Sequence, residues 1–543
     1  MDTQKNIRGA VEAIRSGRAA QAAGILSGVL AQDSRNAQAR WLLAQCHDQL
    51  QQPEKARLQL DWLLEHAAPD LESINRIAAY LHQRKHPLEP AIRAFRDHLE
   101  RHPESANAAF NLAWYLHRDA RFEEAADHYR HAIQLGVSAP EEAHLNVANL
   151  CMDHLYAYDE ARQHLQQAIA INPGYAGAWH NLGSLEEKLG NREAAARNFE
   201  KCLQLEPGNK TALARLADVH RFEKADDPLL RRLALAVESG GNSDLHYALG
   251  RAHDQLSEYD AAWRHLETAN RIDAGVFPPY DSGAAEATMR GIAECCDREW
   301  LARFQGDSHP AVFICGLFRT GSTLVERILS AHPNFEAGGE NEFFPLLAAK
   351  NFPAYPAGLD SLTPQQTAPW RERHAALAHK LAGPGGILTD KRPDNFLYAG
   401  LIKAILPSAK FIITERDWRD VATSIFATRL GPSQNYATKL ENIRHYIRQH
   451  RLLVDHWQEL LGADLVRVSY EDLVHSPRET IGGLLQALGV EWHDACLDFH
   501  RQEGAVNTAS VWQVRQPLHA KSIGRWRNYE SRFRAAFGTD LQP

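Results

Sequence analysis

The residues best suited to chemistry fall in four short stretches in the second half of a 543-residue chain. The first is Gly316-Leu317-Phe318-Arg319-Thr320-Gly321-Ser322-Thr323. It follows a short apolar run, residues 311–315, and precedes Leu324-Val325-Glu326-Arg327-Ile328-Leu329, whose apolar spacing is helical. Strand, glycine loop and helix together aim backbone N–H groups at one point, where a phosphate or sulfate can sit. Gly316 and Gly321 have the spacing of a P-loop, but Ser322 stands where that motif needs its lysine. The second stretch sets Arg416 at the end of a strand-like run and Ser424 eight residues on. One guanidinium fork and one hydroxyl suit a separate phosphate. The third places Lys391 just past a strand, and the fourth offers Tyr470 where an adenine ring could stack. Each has a plainer reading. Arg416 can pair with Asp417 or Asp420 on the surface, Tyr470 can be ordinary core, and Lys391-Arg392 can be a solvated turn.

These stretches need a scaffold that brings them together. Residues 311–315, 386–389, 410–414 and 465–469 read as strands, with helices expected over 323–332, 398–406 and 418–430. Strands alternating with helices predict a central parallel sheet covered on both faces, with ligands at the carboxyl ends of its strands. The four stretches fall at those ends.

The first half reads differently. Pro173 and Pro207 lie 34 residues apart, and between them run Trp179, Leu182, Gly183, Ala195 and Phe199. Large residues on the first helix, small ones where two helices meet and a terminating proline resemble a tetratricopeptide repeat. The phase continues through Leu43-Ala44 with Ala56, Leu112-Ala113 with Ala125, Ala148 with Ala161, and Tyr247 to Gly250 with Ala261-Ala262, giving roughly seven or eight units. The expectation is an all-α tetratricopeptide superhelix over residues 1–275, a connecting helical segment over 276–307 and an α/β, P-loop-like domain over 308–543. Such an array either holds a protein or peptide in its groove, forms a homodimer surface, or braces the second domain.

Composition narrows the classes. A formal charge of −8 without a basic domain does not support a nucleic-acid binder. Seven cysteines without C-x-x-C spacing and twenty-eight histidines without ligand spacing suggest neither a disulfide framework nor a metal site, and a reducing cytoplasm is the simplest setting. No signal-peptide core or membrane-spanning run is expected.

Taken in order, the four stretches resemble the sulfotransferase family, whose donor is 3′-phosphoadenosine 5′-phosphosulfate. Gly316 to Thr323, Gly339-Glu340, Lys391 and Tyr470-Glu471 are similar to its tyrosylprotein branch, and the repeats in front are similar to bacterial members. The resemblance implies metal-free, in-line transfer of a sulfuryl group to a hydroxyl, with adenosine 3′,5′-bisphosphate as product. It assigns Gly316, Arg319, Thr320, Gly321, Ser322 and Thr323 to the 5′-phosphosulfate, and Arg416 with Ser424 to the 3′-phosphate. Tyr470, Ser522 and Arg525 are also assigned to the donor. Arg319 and Lys391 become transition-state cations and Glu340 the general base, with Glu342 as competitor. Without the resemblance, Glu340 reads as a solvated loop carboxylate. The tail from Thr508 to Trp526 resembles the family's donor-covering segment, but the family's serine falls on Gly524, so Ser522 is its expected substitute. The implied acceptor is protein tyrosine, with small-molecule, sugar or lipid hydroxyls as alternatives. A kinase on the same loop and a non-catalytic nucleotide-binding adaptor are the rivals.

Overall fold

The computed structural model describes residues 3–67, 70–502, 504–506, 508 and 511–543. The chain forms two compact units, Met1–Leu185 and Glu186–Pro543.

The first unit is a run of antiparallel helix pairs, beginning with Thr3–Arg15 and Ala19–Gln32 and continuing through Pro140–Asp153 and Tyr158–Ile171. Alanines sit where paired helices touch: Ala44 and Ala56, Ala113 and Ala125, and Ala148 and Ala161 are all fully buried. A larger side chain at any of these positions would push the two axes apart. Leu60, Phe95, Tyr129 and Leu165 fill the space between layers, each fully buried. Between the helices of a pair the chain turns through one left-handed residue. Gly17, Gln51, Lys85, Ala120 and Tyr156 hold this position with φ between 54° and 72°. Four of the five carry a Cβ, at a cost of about 1 kcal/mol each, so packing overrides backbone preference there.

The second unit begins with further helices of the same phase, from Arg192–Leu205 to Tyr259–Ala274, followed by Ser282–Cys295 and a five-stranded sheet. Its strands are β1 (Ala311–Gly316), β2 (Phe335–Ala337), β3 (Ile387–Asp390), β4 (Lys410–Glu415) and β5 (Leu465–Ser469). All neighbours are parallel, in the order β2-β3-β1-β4-β5. Every residue of β1 is buried, as a strand covered on both faces requires. Successive β1 residues enter opposite cores. Val312 and Ile314 pack with Leu324, Val325 and Ile328 of the helix Ser322–Ser330. Phe313 and Cys315 pack with Phe344, Phe411 and Trp457.

Elements agree with the sequence reading to within a few residues, with three differences. The helix after Arg416 spans Trp418–Phe426 and ends before residue 430. The strand expected at 386–389 lies one residue later, at Ile387–Asp390. The edge strand β2 was not expected, because it has three residues and exposes two of them, Glu336 and Ala337.

The order places β3 and β4 on opposite sides of β1, and the crossover between them packs on the sheet face that carries Phe313 and Cys315. Ligand crevices of parallel sheets form at such a reversal.

Candidate functional site

The loop after β1 is shaped by two glycines and one strained arginine. Gly316 has φ +144°, and a Cβ there would lie 2.6 Å from the Thr414 carbonyl of β4. Gly321 has φ +105°, and its Cβ would lie 3.0 Å from the Tyr470 ring. Arg319 also takes the left-handed conformation, with φ +72°. Thr320 braces the loop from below: its buried hydroxyl donates to the Leu317 carbonyl at 2.7 Å and lies 2.6 Å from the Thr414 hydroxyl. The helix Ser322–Ser330 then starts with its N–H groups at the cleft.

Arg319, Gly321, Ser322, Thr323, Glu340 and Arg416 line one cleft, which Tyr470 and Ser522 also border. Arg319 Nε donates to Ser424 Oγ at 2.9 Å, joining two residues that the sequence placed at different phosphates. Another nitrogen of its guanidinium donates to Gln513 Oε1 at 3.2 Å. Arg416 donates to the Arg319 carbonyl at 3.2 Å and to the Ser522 carbonyl, and its guanidinium lies 4.8 Å from the Tyr470 ring centroid. Its Nε is buried with no hydrogen-bond partner among the described residues.

The plainer readings do not hold for Arg416 and Lys391, while Tyr470 does pack against a hydrophobic core. Asp417 pairs with Arg419, and Asp420 accepts from the Gly524 and Trp526 N–H groups, so neither acid forms an ion pair with Arg416, although the Asp420 charge acts on it. Tyr470 is wedged between the loop and Arg416. Lys391 is 1% exposed and donates to Glu340 Oε1 at 2.6 Å, while Arg392 turns to Asp394. Glu340 lines the cleft and Glu342 is not among its lining residues.

Several expected residues take other positions. Thr320, Ser424 and Lys391 are buried and are not among the residues that line the cleft. Ser522 meets Arg416 through its backbone carbonyl. Arg525 pairs with Asp254 of the helix Ser243–Gln255 at 2.6 Å, and Tyr529 donates to the same carboxylate. Thr508 accepts from Thr323 at 3.2 Å, and Ala509 and Ser510 of the tail lie outside the described residues.

The electrostatics favour an anion. Desolvation, reinforced by the Arg416 and Arg525 charges, pushes Arg319 down to about 10. Desolvation also lowers Arg416. Cations crowded together and desolvated gain from an anionic ligand.

Sequence reasoning missed Gln513, Asp254 and Glu326. The first two are ordinary surface residues until the tail is folded. Glu326 gave a signal, a carboxylate inside an apolar helical run, and the structure buries every residue of Ser322–Leu329. Among the described residues no group of three or more His, Cys, Asp or Glu is placed to hold a metal ion, and no helix is long and apolar enough to cross a membrane.

Residues 310–494 match the sulfotransferase family, and residues 13–79, 79–143 and 176–209 match tetratricopeptide repeats. An uncharacterized protein of Aquifex aeolicus is 26% identical over 392 residues, 68% of this chain and 51% of that protein. The protein-tyrosine sulfotransferase of Drosophila melanogaster is 27% identical over 236 residues, 40% of this chain and 47% of that protein. The chain thus spans about half the length of these curated relatives. The sulfotransferase domain of the Synechococcus PCC 7002 olefin synthase overlaps 41% of this chain and 89% of its own, with 19% identity and a TM-score of 0.32. The chain therefore joins tetratricopeptide repeats to a domain of the sulfotransferase family, and it is similar to the protein-tyrosine sulfotransferases.

Proposed function

We propose that this protein transfers the sulfuryl group of 3′-phosphoadenosine 5′-phosphosulfate to an acceptor hydroxyl, with protein or peptide tyrosine as the first candidate and small-molecule, sugar or lipid hydroxyls as the alternatives. The observation that carries the reading is the meeting of Arg319, Arg416, the loop N–H groups and Glu340 in one cleft. The donor has two anionic ends, and the cleft has a place for each. The loop and the start of its helix suit the phosphosulfate, and Arg416, with its unpartnered Nε, suits the 3′-phosphate. Gln513 Oε1 and the Ser522 carbonyl, which accept from these guanidiniums, would yield to stronger acceptors.

In this reading Glu340 takes the acceptor's proton as its oxygen bonds to sulfur and the bond from sulfur to the 5′-phosphate oxygen breaks. Arg319 and Lys391 offset charge on the transferring oxygens and the leaving phosphate. To reach the donor, Lys391 exchanges its hydrogen bond to Glu340 for one to a donor oxygen. The cations and N–H groups provide this without a metal. The domains fall at residues 1–275, 276–307 and 308–543, the repeats present the acceptor, and the setting is a bacterial cytoplasm.

Two measurements test the reading. Adenosine 3′,5′-bisphosphate should raise the melting temperature well above the effect of ATP with magnesium, and radiolabelled sulfate should pass from the donor into tyrosine-containing peptides. A larger shift with ATP favours a kinase. A shift without any turnover favours the adaptor, and label found only in small molecules, sugars or lipids moves the acceptor class.

A further inference from the structure

Glu326 is a buried carboxylate beside the cleft that the proposed chemistry leaves unused. It sits one turn into the helix Ser322–Ser330, is 6% exposed, and lies beneath the segment that carries Glu340. Its Oε1 accepts the Gly339 N–H at 3.0 Å. The Gly339 carbonyl in turn accepts the Lys391 N–H at 2.8 Å, and the Lys391 ammonium donates to Glu340 Oε1 at 2.6 Å. Glu340 follows Gly339 directly. The contacts therefore close a ring, from helix to loop, from loop to the end of β3, and from there back to the cleft through the side chains of Lys391 and Glu340.

The segment is held along one side by the Gly338 N–H, which donates to the Thr389 carbonyl at 2.8 Å. A Cβ on Gly338 would lie 2.5 Å from that carbonyl, and Gly339 has φ +63°. At Gly339 the carbonyl is held by the Lys391 N–H and the N–H by the Glu326 side chain, so Glu326 fixes the direction that the strand-end contact leaves open. We propose that Glu326 is a positioning residue for the Glu340–Lys391 pair, acting through the Gly339 N–H and touching neither donor nor acceptor.

A plain core acid would be an odd choice here, since burying a carboxyl costs stability unless its position is used. Burial pushes Glu326 up to about 7, with Lys391, the Gly339 N–H and Arg327 opposing that rise and Glu340 adding to it. An oxygen acceptor for the Gly339 N–H persists in either protonation state. A glutamine can therefore replace the group, and a leucine of similar size cannot.

The proposal rests on the sulfotransferase reading, and the test separates the two. In the protein as given by this sequence, Glu326→Leu should lower kcat by about 10²-fold, as misplacement of a reacting group by about 1 Å does, while the donor KM and the affinity for adenosine 3′,5′-bisphosphate stay near wild type. Glu326→Gln should restore kcat. Amide hydrogen exchange at Gly339 should be faster in Glu326→Leu than in wild type or Glu326→Gln, a readout that holds even if the wild-type protein transfers no sulfuryl group. Unchanged kcat in Glu326→Leu, loss spread equally over kcat and nucleotide affinity, or unchanged exchange at Gly339 would overturn the proposal. If Glu326→Leu does not fold, Glu326→Gln decides alone: near wild-type kcat supports the acceptor role, and an inactive variant sinks it.

Discussion

The helix pairs of the first unit and the cleft of the second are held by similar side chains over very different spans of sequence. In the repeats, Tyr80 reaches Asp48, Asn111 reaches Asn75 and Asn181 reaches Asn149, at separations of 32 to 36 residues. Each is a contact between one repeat and the next. At the cleft, Thr320 meets Thr414, Arg319 meets Ser424 and Gln513, and Arg416 meets Ser522, at separations of 94 to 194. Repeats distribute stability over many equivalent neighbours, so one lost contact weakens a local pair. The cleft concentrates function in contacts that occur once, and nothing nearby can substitute for them.

The comparison predicts that equally drastic substitutions in the two places will be read by different instruments. Glu340→Ala should lower turnover by about 10²–10⁴-fold, the range for loss of a general base, with the melting curve and adenosine 3′,5′-bisphosphate binding nearly unchanged. Full activity in that variant would remove Glu340 from the base role. Leu112→Ala should do the reverse. Leu112 is fully buried on the helix Ala106–Arg118, and its truncation should cost about 2–5 kcal/mol in denaturant unfolding, with nucleotide affinity retained. A coupled loss of nucleotide affinity would break the division drawn here. The smallest effect is the most specific. Arg416→Ala should weaken the 3′-phosphorylated nucleotide by about 1.5–3 kcal/mol, the value of hydrogen bonds to a charged group, and leave the 3′-dephosphorylated nucleotide nearly untouched in calorimetric titration. Equal losses on both would contradict its assignment to the 3′-phosphate.

Legibility followed the same line. The helix pairs could be read because one pattern of Ala, Leu and aromatic residues repeats at a known period. Their left-handed turns at Gln51, Lys85, Ala120 and Tyr156 could not, because those residue types carry no turn signal and packing imposes the conformation. At the cleft, Gly316 and Gly321 stood out by spacing, and the structure shows the close approaches that exclude a Cβ from them. Lys391 was placed just past a strand and Glu340 in a loop, but their 2.6 Å pairing was not foreseen. Arg525 was expected at the donor and is held by Asp254, on a helix 271 residues earlier in the chain.

By itself the sequence determined the order of elements, the apolar faces they bury and the residue types available at the strand ends, because these depend on local periodicity and turn chemistry. Only the tertiary structure decided which of those residues share a cleft. That choice depends on the strand order β2-β3-β1-β4-β5 and on where the tail returns. Both are set by packing between segments far apart in sequence, on which no local pattern reports.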